Sequence, residues 1–214
     1  RPRHGHAAGP RYTDAGKKLW SAEKPALYRL TLFVRKEDRI LEYVPVNVGF
    51  GTVSHAEGKV YRNGKPVELR PARCDATTPA ALRREIAALK KEGFNTLWPD
   101  TPQPWWFYDI CDRTGMYVID QANINTSYET GNRRIGGCLS NDPAWLPEYM
   151  ERTQAMFRRS HTHPCIVAWS LGGQSGNGFN LYRTYLWLRT ADPNRPILYD
   201  GAGGEWNNDL PLTR

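Results

Sequence analysis

One stretch, Cys165 to Arg189, constrains the fold more than any other. Cys165–Trp169 is a five-residue apolar run with two β-branched members, the length and composition of a strand buried on both faces. Ser170–Gly178 follows, rich in glycine and serine, and Phe179–Arg189 is an amphipathic helix. Strand, tight loop and helix make a βα unit, and such loops carry the chemistry of barrels and doubly wound sheets. The unit recurs. Phe94–Trp98 is a strand followed by a helix at Trp105–Thr114, which Gly115 ends. Met116–Asp120 is the next strand, and Asp142-Pro143 opens a helix running to about Arg159. Pro79–Glu92 is a helix with proline at its first position and Leu82, Ile86 and Leu89 on one face. Ile197–Tyr199 is a last strand. This alternation predicts a parallel sheet.

The first third reads differently. Residues 1–18 are rich in Arg, Gly and Pro and read as a tail. Ala26–Arg35 alternates apolar and polar residues as a half-buried strand does, and Tyr43–Phe50 is a second strand. Asn63-Gly64 between apolar flanks signals a hairpin. The net charge of +7 is scattered in short pairs, so a basic surface is expected rather than a nucleic-acid site. No apolar run reaches 18 residues, so no membrane partner is expected, and the first residues do not read as a signal peptide. Cys74, Cys111, Cys138 and Cys165 lack CxxC spacing and read as buried free thiols.

The stretch His163-Pro164-Cys165 through Trp169-Ser170-Leu171-Gly172-Gly173-Gln174-Ser175-Gly176 resembles the acid-bearing motif of the family 2 glycoside hydrolases, the β-galactosidase group. That motif reads HPS-x-x-x-W-S-L-G-N-E-S-G, so Gly173 stands at its asparagine and Gln174 at its acid. Asp120-Gln121-Ala122-Asn123-Ile124-Asn125-Thr126-Ser127 resembles the family's D-E-A-N-I-E-T-H, with Gln121, Asn125 and Ser127 in place of Glu, Glu and His. Tyr108–Asp112 and Asn63–Val67 match as well, and so do Leu19-Trp20-Ser21 and Val48–Phe50. The resemblance implies a partial (β/α)8 TIM barrel of about strands 1–5, with Val67–Arg70 as strand 1. It is preceded by the last strands of an immunoglobulin-like β-sandwich. The implied division is 1–57 (tail and end of sandwich) and 58–214 (first part of the barrel).

The same resemblance defines what the chemistry requires. A retaining glycosidase uses two carboxyl groups about 5–5.5 Å apart, one a proton donor and one a nucleophile. The amide of Gln174 has no proton to give near neutral pH, and the family's nucleophile belongs to its seventh barrel strand. The family's Mg²⁺ ligands correspond to Asn125, Ser127 and Gln174, all neutral, so no metal and no cofactor is expected. The expected ligand is a carbohydrate, with Trp98, Asp100, Asn123, Trp169 and Asp200 as binding residues. Asp100, Asp120, Asp200 and Glu205 are candidates for a new acid/base pair, against the reading that they cap loops. Trp105 and Trp106 read as core of their helix, and His163 as structural. The expected function is a family 2-like chain that no longer hydrolyses β-glycosides. Its rivals are a carbohydrate-binding module, an interaction subunit that self-associates or joins the remainder of a longer chain, and an enzyme with relocated acids.

Overall fold

The computed structural model describes residues 16 and 18–212, so most of the expected tail lies outside them. Five strands form one parallel sheet: β6 (Pro71–Ala72), β7 (Thr96–Leu97), β8 (Tyr117–Gln121), β9 (Ile166–Ser170) and β10 (Ile197–Leu198). They lie side by side in chain order, from β6 at one edge to β10 at the other. Between them run α1 (Pro79–Lys91), α2 (Trp105–Thr114), α3 (Leu146–Ser160) and α4 (Phe179–Ala191). The sheet core is apolar on both faces, with β9 buried throughout, as a parallel strand under helices must be. This is the sheet and helix order of a partial TIM barrel.

Each helix begins and ends for a local reason. Thr78 caps α1 by accepting from the Ala81 N–H (3.2 Å), and Pro79 takes the first turn, where no N–H is needed. Gly115 closes α2 in the left-handed region at φ 69°. A Cβ at Gly115 would stand 2.1 Å from the Ala22 carbonyl oxygen. Gly115→Ala is therefore expected to cost more than about 1 kcal/mol, measurable as a lower urea midpoint at unchanged slope.

One strand assignment is corrected. Val67–Arg70 is not barrel strand 1. Asn63 (φ 52°) and Gly64 (φ 74°) form the hairpin turn, which folds β5 (Lys65–Val67) back onto β4 (Lys59–Arg62). Val67 is thereby used in an antiparallel sheet, and the parallel ladder starts at Pro71, paired with Thr96. A proline is tolerated there as the first residue of an edge strand. β3 (Val53–Ala56) completes the three-stranded sheet through a second such turn at Glu57-Gly58, the point of the expected division.

The sandwich remnant is a two-stranded antiparallel sheet of β1 (Tyr28–Lys36) and β2 (Arg39–Val48). Trp20 ties it to the barrel. Its ring is fully buried, its indole N–H donates to the Asp112 carbonyl (2.8 Å), and its backbone N–H donates to Phe50 (2.7 Å). His55 on β3 docks the three-stranded sheet onto α4. Its Nε2 accepts from the Arg189 guanidinium at 2.7 Å and lies 3.9 Å from Asp209. An accepting Nε2 is unprotonated. Burial holds the His55 pKa below its usual 6.5; nearby Asp209 opposes this and Arg189 adds to it. The unfolded chain takes up this proton at a higher pH than the folded one, so the contribution is whole above about pH 6.5 and shrinks below it. Chemical denaturation across pH 5–7.5 should show that loss on acidification, reduced in His55→Gln.

Candidate carbohydrate cleft

Every strand of the parallel sheet sends one or two side chains to the same mouth. Arg73 follows β6, Asp100 follows β7, Gln121 ends β8 with Asn125 in its loop, Gly173 and Gln174 follow β9, and Asp200 follows β10. Together they line one open cleft of about 530 Å³. Carboxyl ends of parallel strands are where barrels and open sheets place ligands.

The loop after β9 is held from both sides. Leu171 N–H donates to Leu198 of β10, and Gly173 N–H donates to the Ile124 carbonyl (2.7 Å). A Cβ at Gly172 would approach that same oxygen to 2.6 Å, so the two loops touch backbone to backbone. The buried Ser175 hydroxyl accepts from Thr126 N–H (2.9 Å), and the Ser140 hydroxyl donates to the Ser175 carbonyl. Asn177 and Asn207 exchange a reciprocal pair of amide hydrogen bonds (3.0 and 2.9 Å). Gln174 is the exposed tip of this fixed loop.

Gln121 is the buried floor. Its Oε1 accepts from the Trp98 indole (3.2 Å) and the Ser170 hydroxyl (3.1 Å), while its Nε2 donates to the Asp100 carbonyl (2.8 Å). An amide meets this demand for both an acceptor and a donor; a carboxylate does not. Above it, Arg73 and Asp100 lie 3.9 Å apart, both well exposed. Burial raises the Asp200 pKa above the usual carboxylate value. The rim thus offers two carboxyl groups, two primary amides and one guanidinium to a ligand.

The expected residues divide between cleft and core. Asp100, Asn125, Gln174 and Asp200 come together. Trp98 and Trp169 do not reach the surface. Trp98 is 1% exposed with its indole on Gln121. Trp169 is 0% exposed and faces the helix layer, donating to Asp192 (3.0 Å) against Phe157. Both are packing residues, and neither can stack on a sugar. Asn123 faces a neighbouring hollow, and Ser127 is exposed outside the cleft lining. Asp120 is buried beneath the sheet by Arg159, Tyr108 and Ser160, and Glu205 pairs with Arg133 at 2.7 Å, so neither belongs to the cleft. His163 is structural, its Nδ1 2.6 Å from the buried Asp112 carboxylate. Trp105 is 75% exposed instead of core. Arg73, directly after β6, was missed, because a single arginine in a loop carries no signal of its own. Among the described residues the four cysteines are free, three buried and Cys74 half-buried.

Comparison with known proteins agrees with this geometry. Residues 68–211 match the family model for glycosyl hydrolases family 2, TIM barrel domain, and residues 6–50 match a glycosyl hydrolases family 2 model. The chain is 40% identical over 198 residues to beta-galactosidase 2 of Enterobacter cloacae, covering 86% of this chain and 19% of that protein. It is likewise 40% identical to a beta-galactosidase of Pectobacterium atrosepticum, covering 18% of that protein. The chain thus spans about a fifth of the length of these relatives. Among solved structures, a GH2 beta-galacturonidase from Eisenbergiella tayi superposes with TM-score 0.69 at 20% identity, covering 85% of this chain and 34% of that one. A beta-glycosidase from Bacteroides vulgatus superposes with TM-score 0.68 at 20% identity, covering 88% and 25%. Strand order, cleft position and the barrel-domain match over residues 68–211 lead to one conclusion: the chain belongs to glycosyl hydrolase family 2.

Proposed function

We propose that the cleft binds the terminal sugar of a β-galactoside and does not hydrolyse it. The observation that carries this reading is Gln174: it stands at the mouth of a formed cleft, beside Asn125, where the family motif has its acid. Carboxylates, amides and a guanidinium suit the ring of hydroxyls on a sugar, since they supply both acceptors and donors. Removal of general acid catalysis alone costs on the order of 10²–10⁴ in rate.

The metal that the family implies does not fit here. Asn125 and Gln174 present amides, and Ser127 lies outside the cleft lining. Mg²⁺ is held through carboxylates and waters, and these three neutral side chains supply no carboxylate. The test is twofold. Methyl β-D-galactoside should bind saturably and lose affinity in Asp200→Ala, and a nitrophenyl β-galactoside should hydrolyse no faster than in buffer. Metal-dependent turnover would overturn the reading.

A second reading concerns the β1–β2 hairpin and self-association. Leu32, Phe33, Val34, Leu41 and Tyr43 are each at least 45% exposed, on a sheet of two strands among the described residues. Two-stranded sheets are marginal alone, and exposed strand edges associate. Sedimentation velocity should show weight-average mass rising with concentration, with Phe33→Lys reducing the rise. A monomer at all concentrations would remove this reading.

A further inference from the structure

At the end of the sheet opposite the cleft, a hollow of about 520 Å³ opens beside Tyr117, the first residue of β8. Arg62, the last residue of β4, lines it together with Tyr117, and both are buried, at 4% and 0% exposure. Lys24 and Lys65 line it from exposed positions, and Glu23 adds one negative charge. Pro66 and Val67 supply an apolar wall.

Arg62 is the informative residue. Its Nε donates to the Trp20 carbonyl (2.9 Å), and its guanidinium lies over the Trp20 ring, 4.8 Å from the centroid. Among the described residues no carboxylate pairs with it. Asp112 acts on it only through space, being held by His163 (2.6 Å) and by the Cys165 N–H (2.9 Å). Burial pulls the Arg62 pKa down to about 10, which still leaves a cation at neutral pH. A charge taken out of water without a partner is strongly unfavourable, so this cation requires a counter-ion. Tyr117 adds a second unused donor. Its hydroxyl accepts from the Ala22 N–H at 3.4 Å, and among the described residues nothing accepts its own proton.

The lining selects the ligand. Three positive groups face one carboxylate, so the hollow favours an anion. A guanidinium presents paired N–H groups that match the oxygens of a phosphate, and lysines add charge without fixed direction. We infer that this hollow is an oxyanion site that takes a phosphate group, free or as the head of a small organic monoester. Arg62 and Tyr117 donate to the phosphate oxygens, Lys24 and Lys65 hold it from the rim, and Pro66 and Val67 cover the apolar body of a monoester. The site is separate from the sugar cleft and does not depend on it.

The test is titration of the 214-residue chain with inorganic phosphate by calorimetry, at an ionic strength fixed with sodium chloride. Binding should be saturable at one site, and phosphate should raise the midpoint of thermal unfolding. Tyr117→Phe removes only the O–H and should weaken binding about tenfold, roughly the effect of one hydrogen bond to a charged group. Lys24→Gln combined with Lys65→Gln, both at exposed positions, should weaken it as well. Arg62→Met keeps an apolar stem against Trp20 and should abolish both the binding and the thermal shift. If that variant does not fold, the other two decide. Phenyl phosphate binding more tightly than the free ion identifies a monoester as the ligand, and equal binding identifies the ion itself. No saturable binding by the unsubstituted chain, or binding unchanged in Tyr117→Phe and in the lysine pair, refutes the site.

Discussion

Asp120→Ala is expected to lower the stability of the chain by about 3–5 kcal/mol, the range for breaking a buried, hydrogen-bonded charge pair. The carboxylate is fully buried and joins three elements. Tyr108 of α2 donates to it at 2.9 Å, Ser160 of α3 at 2.5 Å, and Arg159 of α3 pairs with it at 3.0 Å. The N–H of Gln121 donates to it as well, at 3.1 Å. Removal leaves these donors facing a cavity, and an ordinary domain has only about 5–15 kcal/mol in all. Asp120→Asn, which keeps the shape and an acceptor, should lose less. Urea denaturation of the three proteins decides the matter: a loss under about 1 kcal/mol in Asp120→Ala would show that the network is not what fastens α2 and α3 to β8.

The second large effect concerns Gln121→Glu, the substitution toward the family motif. It places a carboxyl group where an amide must donate to the Asp100 carbonyl and accept from Trp98 and Ser170. As a carboxylate it loses the donor and carries an unpaired charge, at a cost of about 2–3 kcal/mol or more at pH 7. A protonated glutamic acid can donate again. Burial therefore raises the folded-state pKa above the usual value of about 4.3, and the penalty shrinks as the pH falls through that raised pKa. Urea midpoints at pH 7.5 and 5 should show the gap to the unsubstituted chain narrowing at the lower pH. A pH-independent gap would mean that the floor of the cleft tolerates charge.

The sheet was legible because its elements carry local signals. β9 is an uninterrupted apolar run, α1 has its proline and threonine cap, and Gly115 stops α2 where expected. Asp100, Gln174 and Asp200 were legible because each falls in the loop that leaves the carboxyl end of a strand. The tryptophans were not. Whether Trp98 points to a ligand or to Gln121, and Trp169 to the mouth or to Asp192, depends on partners 23 residues away in each case. Strand 1 was displaced because Val67 satisfies either sheet, and only the pairing of Val60 with Val67 decides. β3 was missed because its turn is Glu57-Gly58, a weaker sequence signal than Asn-Gly, with Glu57 in the left-handed region at φ 50°. Gln174 lies exposed at the tip of its loop, so burial would not raise the pKa of a glutamate placed there. The hollow beside Tyr117 had no sequence signature, since β4 and the start of β8 meet only in the fold.

The central claim is that this family 2 chain keeps a sugar cleft and lacks the chemistry to cleave. Its most direct test follows a nitrophenyl β-galactoside at high protein concentration over hours, with binding of methyl β-D-galactoside measured on the same sample. The account predicts saturable binding that weakens in Asp200→Ala, with release of nitrophenol at the buffer rate. Release well above buffer that disappears in Asp100→Asn or Asp200→Asn would contradict it, and would identify the cleft's own carboxylates as a working pair.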